Sequence, residues 1–210
     1  KILYLFLIKK SYSQDHEDLF LVNYFKNKKE GFYLDLGCHH PKRFSNTYLL
    51  YKKGWKGINI DANKWAIILF KFLRPRDQNM CALINTSYEP VCFYQFNESA
   101  LNGILLPQRV AKLKRMGFKV KRKKTIQPIT IQDVIDKYNL SKKRIDFLKI
   151  DVEGLDFEIV KNISFSDLNI ELLMIEKGSK QENNEIKKYL AVNSYKITHE
   201  SKRNYIFKKF

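Results

Sequence analysis

A chain of 210 residues with 44% hydrophobic and 29% charged residues is long enough for one α/β domain with a full core, and it is excluded from the disordered class. Its three cysteines, Cys38, Cys81 and Cys92, stand in no CxxC or other metal-ligating spacing. That excludes a disulfide scaffold and predicts a reducing, cytoplasmic compartment. The formal net charge of +17 favours anionic partners, namely nucleic acid, a phosphorylated substrate or a membrane surface; solvated lysine-rich faces account for the same excess equally well.

The chain opens on Lys1 rather than methionine, so its natural start is expected to be missing or removed. Ile2 to Ile8 is apolar and flanked by Lys1, Lys9 and Lys10. It is far shorter than the about 20 residues a bilayer span takes. It is read as a docked strand, with the stub of a longer segment or a peripheral membrane contact as the alternatives. Ser13 or Asp15 is placed to cap a helix carrying Leu19, Leu21, Val22 and Phe25, and residues 1–30 form an amino-terminal extension. The main domain, 31–210, begins with Gly31-Phe-Tyr-Leu-Asp-Leu-Gly37. Its apolar residues suit a strand buried on both faces. Asp35 and Gly37 suit that strand's carboxyl end, where α/β sheets bind ligands.

Ser45 then caps a helix through Lys53, ended by Gly54. Gly57 to Asp61 is the second strand. Asn63 caps an apolar helix with Trp65, Ile68, Leu69 and Phe72 at helical spacing, stopped by Pro75. A third strand is expected from Met80 to Ile84, and an extra one from Val91 to Phe96. The region 97–143 loosens in pattern, carries clustered charge and reads as an insertion; within it Thr130 and Asp133 resemble a capping box for a helix through Tyr138. Ile145 to Asp151 is the next strand, with Val152-Glu-Gly154 as its exit turn and a helix over Leu155 to Ile163. Ile170 to Glu176 is a strand, Glu182 to Ala191 a helix, and Tyr195–Thr198 with Tyr205–Phe207 an antiparallel hairpin.

Asp61, Asp151 and Glu176 each end a strand, and Asp35 lies just inside the end of another. In a parallel sheet they share one edge. Asp61 follows Asp35 at a spacing near the roughly 20 residues at which a carboxylate meets adenosine ribose hydroxyls. Neither GxGxxG nor GxxxxGK[ST] is present, which disfavours a pyrophosphate cradle. A phosphate-free nucleoside with an amino-acid tail fits better, and S-adenosylmethionine is such a ligand. The reversed final strand also points to methyltransferases rather than dehydrogenases.

The segments Ser13-Gln-Asp-His-Glu-Asp18, Gly31 to Gly37, Phe44-Ser-Asn-Thr-Tyr48, Lys53 to Asp61 and Ile145 to Gly154 together resemble the FkbM family of methyltransferases. The resemblance implies a Rossmann-like class I fold with a mostly parallel seven-stranded sheet and a C-terminal antiparallel hairpin strand. It also implies S-adenosyl-L-methionine as donor and O-methylation of a sugar or glycan-type acceptor. His16 departs from it, standing where the family commonly has glycine. Carried onto this chain, Asp35 and Gly37 border the methionine part, Asp61 the ribose, and Ala82 and Leu83 the adenine. Gln14 and Asp18 close the pocket, and Ser45 and Asn46 face the same edge, where helix capping explains them equally well. Asp151 and Glu153 beside the methyl position, and the His39–His40 pair, are the candidate bases. Asn97 and Asn102 are expected near the acceptor. The run from Arg109 to Lys124 would steer an acceptor that is anionic. No spacing supports a metal. A nucleic-acid-binding or nucleic-acid-methylating protein on the same fold is the alternative, disfavoured because aromatics do not interleave the basic run.

Overall fold

A computed structural model describes residues 10–98, 101–152 and 154–210. The strand expected at Ile2 to Ile8 lies outside the described residues. Helix α1 (Glu17–Tyr24) leads to β1 (Phe32–Leu36), α2 (Tyr48–Lys52), β2 (Lys56–Asp61), α3 (Lys64–Leu73) and β3 (Gln78–Cys81). Strands β4 (Val91–Phe96) and β5 (Val120–Ile126) form a separate antiparallel ribbon, with α4 (Pro107–Arg115) between them in the chain. The chain returns through α5 (Ile131–Tyr138) to β6 (Arg144–Ile150), α6 (Asp156–Lys161), β7 (Asn169–Glu176) and α7 (Lys180–Val192). It closes with the hairpin β8 (Tyr195–Glu200) and β9 (Asn204–Lys209). The seven-stranded sheet runs β3-β2-β1-β6-β7-β9-β8, and β9 is antiparallel to both its neighbours.

Period-two alternation divides the side chains between two layers. Leu34, Leu36, Ile58, Ile60, Leu148 and Ile150 meet Val134 and Ile135 of α5 and Ile159 and Val160 of α6 in one apolar core. Tyr33, Phe147, Leu172 and Met174 meet Leu21 of α1, Leu50 of α2 and Trp55 on the other face. That second face also holds a polar layer. Asp77 accepts hydrogen bonds from the Tyr33 hydroxyl at 2.5 Å, the Gly57 amide at 3.0 Å and the Asn59 side chain at 2.9 Å. The fully buried Arg74 donates to Thr47, Ser45 and the Pro41 carbonyl and faces Asp77 at 3.9 Å.

The polar layer explains where the chain departs from its sequence pattern. The third strand is Gln78–Cys81 rather than Met80 to Ile84. Asn79 accepts from Asn59 and donates to the Arg74 and Asp77 carbonyls, which draws the polar residues into pairing with β2. Ile84 instead makes a lone bridge to Ile129. The helix expected from Ser45 starts at Tyr48, because the Ser45 hydroxyl takes the Tyr48 amide and the Arg74 guanidinium. His16 rather than Ser13 or Asp15 stands at the N-cap of α1: the Ser13 hydroxyl takes the first-turn Asp18 amide at 3.4 Å and donates to the Asp18 carboxylate, and Asp15 pairs with Arg203. Asn63 does cap α3, and Thr130 with Asp133 forms the expected capping box. Helix α7 begins earlier than Glu182, at a second capping box of Ser179 and Glu182. The basic run holds an unforeseen strand, β5, whose lysines hide its period by facing solvent.

His16 precedes α1 in the left-handed region, at φ 67°, where a side chain costs roughly 1–2 kcal/mol. Its ring is exposed. His16→Gly is expected to stabilise the fold by about 0.5–1 kcal/mol once the freer unfolded chain is counted. His16→Val is expected to destabilise it; urea unfolding of the two variants beside wild type measures both.

Candidate active site

Strands β2 and β3 leave β1 on one side, and β6 and β7 on the other. The carboxyl ends of β1 and β6 therefore form the switch point at which α/β sheets open a crevice. Gly37 closes this point. Its amide bonds to the Ile60 carbonyl at 2.9 Å, and the Asp151 amide bonds to the Leu36 carbonyl at 3.1 Å. Gly37 has φ 73°, and a Cβ there would lie 1.6 Å from the Asp151 carbonyl oxygen. No other residue lets the three strand ends approach this closely.

Lys149, in the centre of an otherwise apolar strand, lies opposite Asp35 in the β1–β6 register. Its buried ammonium donates to the Gly37 carbonyl at 2.9 Å, and it stands 3.4 Å from Asp35 Oδ1 and 3.2 Å from Asp151 Oδ2. Burial pulls the lysine pKa down, but Asp151 and then Asp35 outweigh it and hold the group above its ordinary value. The ammonium thus stays charged and neutralises part of the acid cluster.

Above this floor opens a cavity of about 360 Å³, within the size range of small-ligand sites. One wall is apolar, with Ile60, Leu83, Ile84 and Phe93. Asp61, half-buried, accepts the His39 amide at 2.8 Å and the Asn63 amide at 2.7 Å. Burial raises its pKa, opposed by those two amides. Burial, with the Lys149 and Arg43 charges, lowers the His39 pKa to about 4, so the ring is neutral at neutral pH. Its Nε2 is buried without a hydrogen-bond partner among the described residues. Glu176, from the end of β7, enters the same cavity. Burial and then the Asp151 and Asp156 charges push its pKa up to about 7, against Lys149 and Arg203.

Of the residues expected from sequence, Gln14, Gly37, His39, Asp61, Ala82, Leu83, Asn102 and Asp151 line this cavity. Six others do not. Asp18 is buried in the first turn of α1, accepting from Ser11 and Ser13 and from the Tyr12 amide. Asp35 points under the floor, where Thr47 donates to it at 2.8 Å. Ser45 belongs to the Arg74 network, and Asn46 donates to Glu17. His40 Nδ1 accepts the Lys42 and Arg43 amides, which makes it a turn residue. Asn97 accepts the Lys119 amide at the end of the ribbon. Glu153 lies outside the described residues; Asp156 accepts the Val152 and Gly154 amides.

Lys149 and Arg203 are cavity residues that sequence reasoning left out, and Glu176 appeared there only as a strand-end acid. A lysine inside the run Ile145 to Ile150 was the available signal, since a buried charge needs partners. Nothing local marks Arg203, which reaches the site from the β8–β9 turn. No group of three or more metal-ligating side chains occurs among the described residues.

The sheet order, with its single reversed strand and a cavity at the switch point, is the class I methyltransferase layout. The family model of the methyltransferase FkbM domain matches residues 35–205, and the chain belongs to that family. No curated protein matches the sequence. Among solved structures, a candidate RNA methyltransferase, PH1948, from Pyrococcus horikoshii is similar at 13% identity and TM-score 0.46, covering 92% of this chain and 83% of that one. The delta-N METTL16 methyltransferase domain is similar at 12% identity and TM-score 0.45, covering 92% and 82%. A human methyltransferase 10 domain containing protein is similar at 12% identity and TM-score 0.42, also covering 92% and 82%.

The raised Glu176 pKa makes a pH prediction. The folded state holds this proton up to about 7, whereas the ordinary carboxyl releases it at 4.5. The folded protein therefore binds more protons between those values, and stability falls as pH rises through that window. Glu176→Gln is expected to match wild type below pH 4.5. Above neutrality it should be more stable by on the order of 1–2 kcal/mol after solvent screening, as read from unfolding midpoints across pH.

Proposed function

We propose that this methyltransferase moves a methyl group from S-adenosyl-L-methionine to a hydroxyl of a sugar or glycan-type acceptor. The observation that carries the reading is the division of labour among the cavity acids. Asp61 is held by two backbone amides and Asp151 by Lys149, while Glu176 has no hydrogen bond or ion pair from its carboxylate among the described residues.

The residues present fit the cofactor. The Asp61 oxygens each keep a lone pair for ribose hydroxyls beyond the amide each already accepts. The apolar wall of Leu83, Ile84 and Phe93 suits adenine. The neutral, unpartnered His39 Nε2 offers one hydrogen bond. When bound, the cofactor supplies an electrophilic methyl on a sulfonium centre. The chain's part is then to place the acceptor and take its proton. Alignment alone supplies roughly 7–11 kcal/mol. A sugar hydroxyl is a weak nucleophile and gains from a base, and Glu176, with its pKa near 7, suits that role at neutral pH. Asp151 is paired with Lys149 at 3.2 Å and orients the site instead. Among the other sequence candidates for the base, His39 is too weakly basic once buried. Asn102 and Arg109 line the same cavity as Glu176, and Arg109 favours an acceptor with a carboxylate or phosphate.

A nucleic-acid acceptor is the second reading. It is favoured by nine cations with no acid between Pro107 and Ile126.

Isothermal titration tests the cofactor: wild type binds S-adenosyl-L-methionine, and Asp61→Ala binds it roughly tenfold more weakly or worse, as expected for lost charge-assisted hydrogen bonds. Labelled-methyl transfer to a panel of glycans, glycolipids and RNA then separates the two acceptors. On whichever acceptor turns over, Glu176→Gln should lower kcat by about 10²–10⁴-fold and leave cofactor affinity intact. Full turnover by that variant moves the base elsewhere.

A further inference from the structure

Helix α3 buries one apolar stripe and exposes another. Ala66, Ile67 and Phe70 pack inward, the last two against Cys38. Trp65, Ile68 and Phe72 lie on the outer face at three- and four-residue spacing, and they are 75%, 44% and 81% exposed. Single exposed apolar residues need no explanation, but an aromatic row along one helix face does. Lys64 and Lys71 flank the row, and both are exposed. The Cys81 thiol at the end of β3 feels Lys124, Lys64 and Lys71 together. Strand β5 and helix α3 thus both bring positive charge toward the end of β3.

Strand β5 opens onto a wider positive surface. Between Pro107 and Ile126 the chain carries nine of its 39 basic residues and no acid. Arg109, Lys112, Lys114 and Arg115 of α4 and Lys121, Arg122 and Lys123 of β5 are all exposed. An outward Trp-and-Phe stripe edged by lysines, beside an acid-free basic lobe, is the combination by which a folded protein lies on an anionic bilayer. A polyanion such as RNA would use the lobe but has no need of the aliphatic and aromatic stripe. A second copy of this chain would bring another charge of +17 to the same face, which opposes pairing.

We propose that the outer face of α3 and the α4–β5 lobe form one docking surface for an anionic lipid bilayer. Trp65 and Phe72 enter the headgroup boundary, and the lysines neutralise lipid phosphates. The cavity is lined by Ala62 and Asn63 at the start of α3 and by Arg109 of α4, so its mouth adjoins both parts of this surface. The proposal does not rest on the methyltransferase reading, because its test measures binding alone.

Sedimentation with vesicles of phosphatidylcholine, and of phosphatidylcholine mixed with phosphatidylglycerol, provides that test. The chain is expected to partition onto the anionic vesicles alone, less so as salt rises. The chain has two tryptophans, and Trp55 is fully buried, so a blue shift in emission on binding reports Trp65. The double variant Trp65→Ser, Phe72→Ser should bind roughly tenfold more weakly or worse with an unchanged melting temperature. Lys121→Gln with Lys123→Gln should weaken binding separately. Binding that the aromatic pair does not affect overturns the proposal. So does failure to bind anionic vesicles, with or without capture of single-stranded RNA, and so does self-association that the double variant abolishes.

Discussion

One buried ammonium holds this molecule's working edge together. Lys149 joins the Gly37 carbonyl, Asp35 and Asp151 at the point where the sheet changes direction. Removing such an ion from water costs several kcal/mol, which only close partners offset. Those partners are supplied by parallel pairing: Asp35 and Lys149 occupy the same rung of neighbouring strands. The absence of a Cβ at Gly37 lets the third partner, Asp151, approach. The acids that first look like equivalent candidates are thereby made unequal. Two of them share a fixed positive charge, and Glu176 is left facing the cavity with a raised pKa.

The two faces of the sheet are specified by different forces. Against α5, α6 and α7 the core is apolar throughout, and volume and shape decide the packing. Against α1, α2 and α3 a hydrogen-bonded layer runs from Arg74 and Asp77 through Tyr33 and Asn59 to Thr47 and Asp35. Buried polar groups tolerate few arrangements, since each orphaned donor or acceptor costs about 1–3 kcal/mol. That layer sets the late start of α2 and the early start of β3. Glu17 extends the same logic to the amino-terminal helix by accepting from Ser201 and Asn204 near the β8–β9 turn, which keeps its carboxylate ionised despite burial.

The positive charge of the chain is unevenly spent. It concentrates on α4 and β5, next to the cavity that Arg109 lines. No helix among the described residues is long and apolar enough to cross a membrane. Attraction to an anionic surface and selection of an anionic acceptor draw on the same local field, which a cavity mouth edged by Arg109 would focus.

The sequence alone determined the parallel βα order, the reversed terminal hairpin and the strand-tip acids, because apolar runs, caps and turn residues act over a few neighbours. The caps at Asn63 and Thr130 and the cavity positions of Gly37, Asp61 and Asp151 were legible for that reason. Tertiary structure decided what local pattern cannot express. It sent Ser45 and Asn46 into buried networks whose partners, Arg74 and Glu17, lie far along the chain. It brought Arg203 from the β8–β9 turn into the cavity. In α3 the stripe picked out by helical spacing, with Trp65, Ile68 and Phe72, is the exposed one, because the position of the sheet buries Ala66, Ile67 and Phe70 instead. The basic run concealed a strand because both faces of that ribbon carry solvated lysines. A charge's role depends on which other charges surround it in space, and that is set by the register of β1, β2 and β6 rather than by any neighbour in the chain.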